Sequence, residues 1–180
     1  MNALLAIALG VLSWSLAEYC IHRWAGHDAR FRPNFFEREH TRHHARGNYF
    51  APTWKKLASA LVVLAVVSPL AAWVAGPLLG VTYAAGFAGF YLVYEVVHRR
   101  AHTTSGFGPY GRWLRRHHFW HHFENPRVNH GVTSPIWDYV FRTREAPGPI
   151  RVPRKLAMVW LVDQQTGEVH AEFSGAYSLR

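Results

Sequence analysis

The chain has 180 residues, 20 Lys and Arg against 11 Asp and Glu, and a net charge of +9. That length fits one domain at most, and a single cysteine, Cys20, excludes a disulfide framework or a cysteine-built zinc site. The positive charge comes with no nucleic-acid motif; arginines flanking apolar segments suit anionic lipid headgroups instead.

Residues Ala3 to Ile21 form the first expected span, with one charge, Glu18, near the far end. It lacks a basic leading region and a small-x-small cleavage site, so it reads as a retained helix and not a cleaved signal. A polar segment, 22–56, follows and ends in Pro52, Lys55 and Lys56. Leu57–Gly76 and Leu78–Tyr94 carry no charge; the latter runs on to about residue 97, and the two form a helical hairpin turned at Gly76-Pro77. Each span has close to the ~20 residues that a helix needs to cross ~30 Å of hydrocarbon. Pro69 predicts a kink in the second span. Ala85, Gly86, Ala88 and Gly89 in the third let helices approach closely. A second polar segment occupies 98–146, and the stretch around Phe107 to Trp120 is a candidate for lying on the membrane surface. After Pro147 the composition turns ordinary. In this tail, 147–180, Leu156–Val162 and Glu168–Phe173 alternate around Gln164–Gly167, which suggests a short hairpin.

Charge sets the expected topology. Of the 20 Lys and Arg, none precedes Ile21, eight lie between His22 and Lys56, and the remaining twelve follow His98. The positive-inside rule puts both basic segments, 22–56 and 98–146, in the cytoplasm, with the N-terminus outside.

The histidines carry the chemistry. All thirteen except His170 fall in or beside four groups: His22-x4-His27, His40-x2-His43-His44, His98-x3-His102 and His118-x2-His121-His122, with His117 and His130 as extras. All four groups lie near span ends on the same expected side. Neutral imidazole is the commonest biological metal ligand, and residues three or four apart share a helix face. One such pair alone would be a polar residue at an interface; four groups in a short chain point to two metals in one basket. Adjacent His121 and His122 can diverge toward different ions. Glu18 lies four residues before His22, and Glu95 three before His98, where a carboxylate could take the second ring N–H of a ligand. Asp138 and Glu124 are weaker candidates for that role.

The motifs resemble a known family. Ala17-Glu18-Tyr19-Cys20-Ile21-His22-Arg23-Trp24-Ala25-Gly26-His27 and Glu39-His40-Thr41-Arg42-His43-His44 look like the first two boxes of the fatty acid hydroxylase/sterol desaturase superfamily of integral-membrane di-iron proteins. Tyr94-Glu95-Val96-Val97-His98-Arg99-Arg100-Ala101-His102 and His117-His118-Phe119-Trp120-His121-His122-Phe123 resemble the third and fourth. Gly131-Val132-Thr133-Ser134-Pro135-Ile136-Trp137-Asp138-Tyr139-Val140-Phe141-Arg142-Thr143 resembles the closing segment, with a likeness to the fatty acid 2-hydroxylase branch. The resemblance covers about residues 12 to 143.

It implies an all-α integral membrane fold of three to four transmembrane helices, with a cytoplasmic helical cap carrying a dinuclear histidine site. Residues 1–146 would be the hydroxylase domain and 147–180 a tail without a family counterpart. The implied metal ligands are His22, His27, His40, His43, His44, His98, His102, His118, His121 and His122. His117, His130, Glu18, Glu95 and Asp138 are additional or supporting candidates. The implied cofactors are two iron ions, with zinc able to replace them in isolated protein, and O2. The reaction implied is hydroxylation of a fatty acyl or other membrane lipid chain, at its 2-position in the branch resembled. Electrons would come from an acidic donor such as a ferredoxin or a cytochrome b5-like protein, steered by the basic face. Trp14, Tyr19, Tyr91, Tyr94, Trp120 and Trp137, together with Trp24 and Phe119, are candidates for the substrate channel, although aromatic residues also belong at membrane interfaces. The expected location is a bacterial inner membrane, with the active site facing the cytoplasm.

Other readings compete. A sterol or carotenoid hydroxylase or desaturase shares the boxes, though the Trp137-Asp138-Tyr139 segment argues against the carotenoid branch. A metal transporter would place ionisable ligands near mid-span, and the second and third spans have none there. A structural zinc site needs only four ligands.

Overall fold

The computed structural model describes residues 2–106 and 108–180. Phe107, where the stretch expected at the membrane surface begins, lies outside the described residues. Helices dominate: α1 (Ala3–Cys20), α2 (Phe35–Arg46), α3 (Thr53–Ala75), α4 (Pro77–Thr103), α5 (Gly108–Phe123) and the short α6 (Ile136–Val140). The chain divides into two compact units, one of residues 1–18 and 51–95, the other of 19–50 and 96–180. Two of the three boundaries fall inside α1 and α4, and the third lies between α2 and α3.

The first unit is the apolar one. Among the described residues, three helical stretches are long and apolar enough to cross a membrane: Ala3–His27, Thr53–Ala75 and Pro77–Thr103. No fourth is found among them, which gives the lower of the three to four expected. Helix α3 buries none of its residues and turns Leu61, Val62, Val66, Leu70 and Trp73 outward, a surface that only lipid solvates well. Gly76 ends it at φ +85°, a conformation only glycine adopts cheaply, and Pro77 opens α4. Helices α1 and α4 meet where side chains vanish: a β-carbon on Gly86 would stand 2.3 Å from the Ile7 carbonyl oxygen. Trp14 lies edge-on to Phe87 and Tyr91, with ring centroids 5.2 and 4.9 Å away. Lys56 makes an ion pair with Glu95.

The second unit holds every histidine. Asn34 caps α2 by accepting a hydrogen bond from Glu37 N at 2.8 Å, the capping arrangement its Asn-x-x-Glu spacing predicts. Gly47 closes that helix at φ +55°. The tail folds back on α5: Phe119, Phe123, Ile150, Val152, Met158, Leu161 and Tyr177 form one buried cluster. The unit also corrects the all-α expectation. Strands β1 (Ile150–Val152) and β2 (Tyr177–Leu179) pair in parallel, Ile150 opposite Tyr177 and Val152 opposite Leu179. Three of those residues are buried, and β-branched and aromatic side chains suit such a half-covered ladder. In the stretch read as a hairpin, one antiparallel bridge joins Val162 to Val169, with Asp163 N donating to Glu168 O at 2.9 Å.

Candidate metal centre

Ten histidines converge in two groups of five. The first comprises His22, His27, His40, His44 and His121; the second comprises His43, His98, His102, His118 and His122. Within each group, one ring nitrogen per residue lies within 4.8 Å of all the others.

Helix periodicity explains most of this. His40 and His44 are four apart on α2, His98 and His102 on α4, and His118 and His122 on α5, so each pair shares a face. His43 and His121 sit one residue before or after a pair member and point about 100° away, into the other group. The double histidines His43-His44 and His121-His122 are therefore each divided between the two groups, and His44 and His122 stack face to face across them at 4.0 Å. His22 and His27 are five apart, which an α-helix would splay. Here Ile21–His27 winds as a π-helix, whose repeat closes at i+5, and this brings the two rings onto one side.

The groups are built to receive a cation. His22, His43 and His121 each donate Nδ1–H to a backbone carbonyl: His130 O at 2.5 Å, Tyr49 O at 2.7 Å and Val128 O at 2.7 Å. That fixes the tautomer and leaves the Nε2 lone pair facing inward. Those nitrogens crowd one another. His27 Nε2 is 2.8 Å from His40 Nε2 and 2.9 Å from His121 Nε2. His43 Nε2 and His98 Nε2 are 2.9 Å apart, and His102 Nε2 and His118 Nε2 3.0 Å. The buried Nε2 atoms of His22 and His44, and both ring nitrogens of His122, have no hydrogen-bond partner among the described residues. Lone pairs brought together unpartnered repel unless a cation lies between them.

Electrostatics keep the imidazoles in their binding form. Burial, reinforced by neighbouring imidazoles, holds His40, His44, His118, His121 and His122 well below the ordinary histidine range. His130 is pushed down by burial to about 4. These groups take up protons more readily in the unfolded chain, near 6.5, so the unfolded state gains as acid is added. Stability should be fully present above about pH 6.5 and fall as the pH drops toward 4; thermal melts at stepped pH in detergent check this.

A buried carboxylate supports the first group. Asp138, in α6, is fully buried. Its Oδ1 accepts from His130 N and Thr143 Oγ1, each at 2.8 Å, and its Oδ2 from Gly131 N at 2.8 Å and His117 Nε2 at 3.1 Å. Burial alone would raise its pKa; the hydrogen bonds from His117, Gly131 and Thr143 outweigh that and hold it low. The strand of loop so fixed presents the His130 carbonyl to His22 Nδ1. Thr143 Oγ1 also meets the Tyr19 hydroxyl at 2.8 Å, and Arg23 donates to that hydroxyl at 2.9 Å.

Other expected residues lie elsewhere. Glu18 is buried in the first unit, and Glu95 there pairs with Lys56. Trp14, Tyr91 and Tyr94 form an aromatic cluster in the same unit. Trp120 faces the tail, 3.5 Å from where a Gly148 β-carbon would stand, and Trp137 lies beside Phe141 with ring centroids 6.4 Å apart. His170 is outside both groups. Sequence reasoning missed Asn129, whose amide exchanges two hydrogen bonds with the backbone of Glu145 at 2.8 and 3.0 Å while the residue sits at φ +57°. It also missed Glu39, which accepts from the Tyr49 hydroxyl at 2.5 Å and so steadies the carbonyl that His43 uses. The adjacency of Asn129 to the closing motif, and of Glu39 to His40, was the available signal.

Comparison with known proteins matches this arrangement to one family. Residues 7–143 match the family model described as fatty acid hydroxylase. A fatty acid 2-hydroxylase of Rattus norvegicus is 30% identical over 148 residues, covering 75% of this chain and 38% of that protein. A dihydroceramide fatty acyl 2-hydroxylase of Arabidopsis thaliana is 29% identical over 147 residues, covering 77% and 60%. Among solved structures, full-length scs7p, of which only the hydroxylase domain is visible, aligns with a TM-score of 0.61 at 27% identity, covering 83% of this chain and 60% of that one. The chain thus spans from 38% to 60% of the length of these proteins.

Proposed function

The chain belongs to the fatty acid hydroxylase family, and we propose that it is a membrane-bound di-iron oxygenase that hydroxylates the acyl chain of a fatty acid or lipid, at the 2-position. The observation that carries this reading is the pair of five-histidine groups. The ten histidines named above would be the ligands, with Asp138 and the His130 carbonyl holding His22 in place. Two iron ions held there would supply the activation of O2 needed to insert one oxygen atom into a C–H bond. Five histidines per group exceed the four ligands of a structural tetrahedral zinc site, though zinc can load the same site in isolated protein.

The overall reaction takes an acyl C–H, O2, two electrons and two protons to an alcohol and water. The electrons come from outside the chain, and its basic segments would attract an acidic ferredoxin or cytochrome b5-like protein. Positive-inside asymmetry supports a cytoplasmic position for those segments and for the active site with them. The protein's own contribution is to bind the acyl chain, exclude water and fix the ligands. The 2-hydroxylase names of the relatives support the position of attack.

The test is mass spectrometry of total lipids from a host expressing the chain with a donor system, beside a host expressing the His121→Ala/His122→Ala form. Acyl chains that gain one oxygen only with the intact protein, with fragmentation placing it at carbon 2, are the expected result. Loss of two hydrogens would make the protein a desaturase and end the hydroxylase reading.

A further inference from the structure

Residues 147–180 lie beyond the family match, which stops at residue 143, yet they press on the helix ends that carry the second histidine group. The C-terminal carbonyls of any helix lack partners within it. At the end of α4 they find them in two side chains. Arg115, on α5 and only 2% exposed, donates Nε–H to Ala101 O at 2.9 Å and its terminal nitrogens to Thr104 O and, at 3.3 Å, to Ser105 O. A guanidinium there also complements the negative end of the helix dipole. Trp160, in the tail, donates its indole N–H to His102 O at 2.9 Å. The indole ring covers the Arg115 guanidinium at 4.1 Å, and Phe173 and Tyr177 in turn pack against that ring, with centroids 5.1 and 6.2 Å away. Phe119, between two ligands' faces, joins the same cluster and lies 4.9 Å from the His102 ring. Leu156 closes over Gly47, the residue that ends the α2 helix bearing His43.

The geometry points to the tail as a brace for the second metal, with Trp160 as the positioning residue that holds His102 through its backbone carbonyl. This rests on the metal reading given above. Trp160 touches neither metal nor substrate; it acts by fixing the last turn of α4, so that His102 keeps its place opposite His118. The first group shares none of these contacts and should be indifferent to them.

Zinc is a redox-silent probe of both groups. Full-length protein in detergent, stripped and titrated with zinc, should bind two ions per chain. Trp160→Phe keeps an aromatic ring beside Arg115 but loses the indole N–H together with the five-membered ring; the Phe173→Leu control isolates the packing part. W160F should weaken one of the two ions about tenfold, the range typical when the partner behind a metal ligand is lost, and leave the other unchanged. Phe173→Leu loosens the tail but keeps the indole N–H, and both ions should bind as in wild type. If W160F binds both ions normally, or loses both in parallel, the brace is wrong. The same follows if F173L weakens the second ion as much as W160F does. Wild-type protein that binds fewer than two ions would instead sink the metal reading, and the brace with it.

Discussion

The His121→Ala/His122→Ala protein should retain neither metal and form no hydroxylated lipid. The two residues are neighbours on α5, yet His121 belongs to the first group and His122 to the second. Each substitution therefore removes one of five ligands from a different ion. Losing even an outer partner of a ligand costs about 10–100-fold in metal affinity, and losing the ligand itself costs more. His121 also anchors the Val128 carbonyl, and His122 stacks on His44 across the groups, so repacking offers no ready substitute. The single variants separate the sites: His121→Ala should weaken one ion and His122→Ala the other. His170→Ala should change nothing, since His170 belongs to neither group. Metal content per chain, measured by mass spectrometry on protein purified from one expression host, decides it. A double variant that kept two ions would overturn the assignment of these ligands.

How much of this can be read from the chain depends on range. The pairs His40/His44, His98/His102 and His118/His122 are legible because four residues make one helical turn. That His43 and His121 cross to the other group is legible only as divergence from a neighbour; which group each joins depends on how α2, α4 and α5 face one another. The spacing of five between His22 and His27 carries a signal that α-helical reasoning passes over, and the π-helical turn is what reconciles it. Hydropathy ends the third span near Tyr94, where Glu95, Arg99 and Arg100 begin, but α4 continues to Thr103. Hydropathy reports the lipid boundary, not the helix boundary. The tail shows the opposite failure. Local alternation around Gln164–Gly167 yields only the single antiparallel bridge Val162–Val169, while the ladder of the tail joins Ile150–Val152 to Tyr177–Leu179, a pairing over a long loop with no local signature.

Asp138→Ala should be the most damaging single change away from the histidines. Four donors converge on that carboxylate from His117, His130 N, Gly131 N and Thr143, and all four residues are buried. Alanine would leave them without an acceptor, at about 1–3 kcal/mol for each unsatisfied group where no water reaches it. Partial relaxation reduces the total, and a loss of about 3–5 kcal/mol is expected, as for other broken buried charge networks. For a protein of this size that lowers Tm by on the order of 10 °C, readable by a thermal melt in detergent. The functional effect should be lopsided. Asp138 holds the loop whose His130 carbonyl orients His22, so the ion of the first group should weaken about 10–100-fold while that of the second changes little. Asp138→Asn should recover part of both losses. Its Oδ1 can still accept from His130 N and Thr143, but its amide nitrogen would then face the Gly131 N–H. Equal weakening of the two ions would mean that Asp138 serves the fold alone and has no particular hold on the first group.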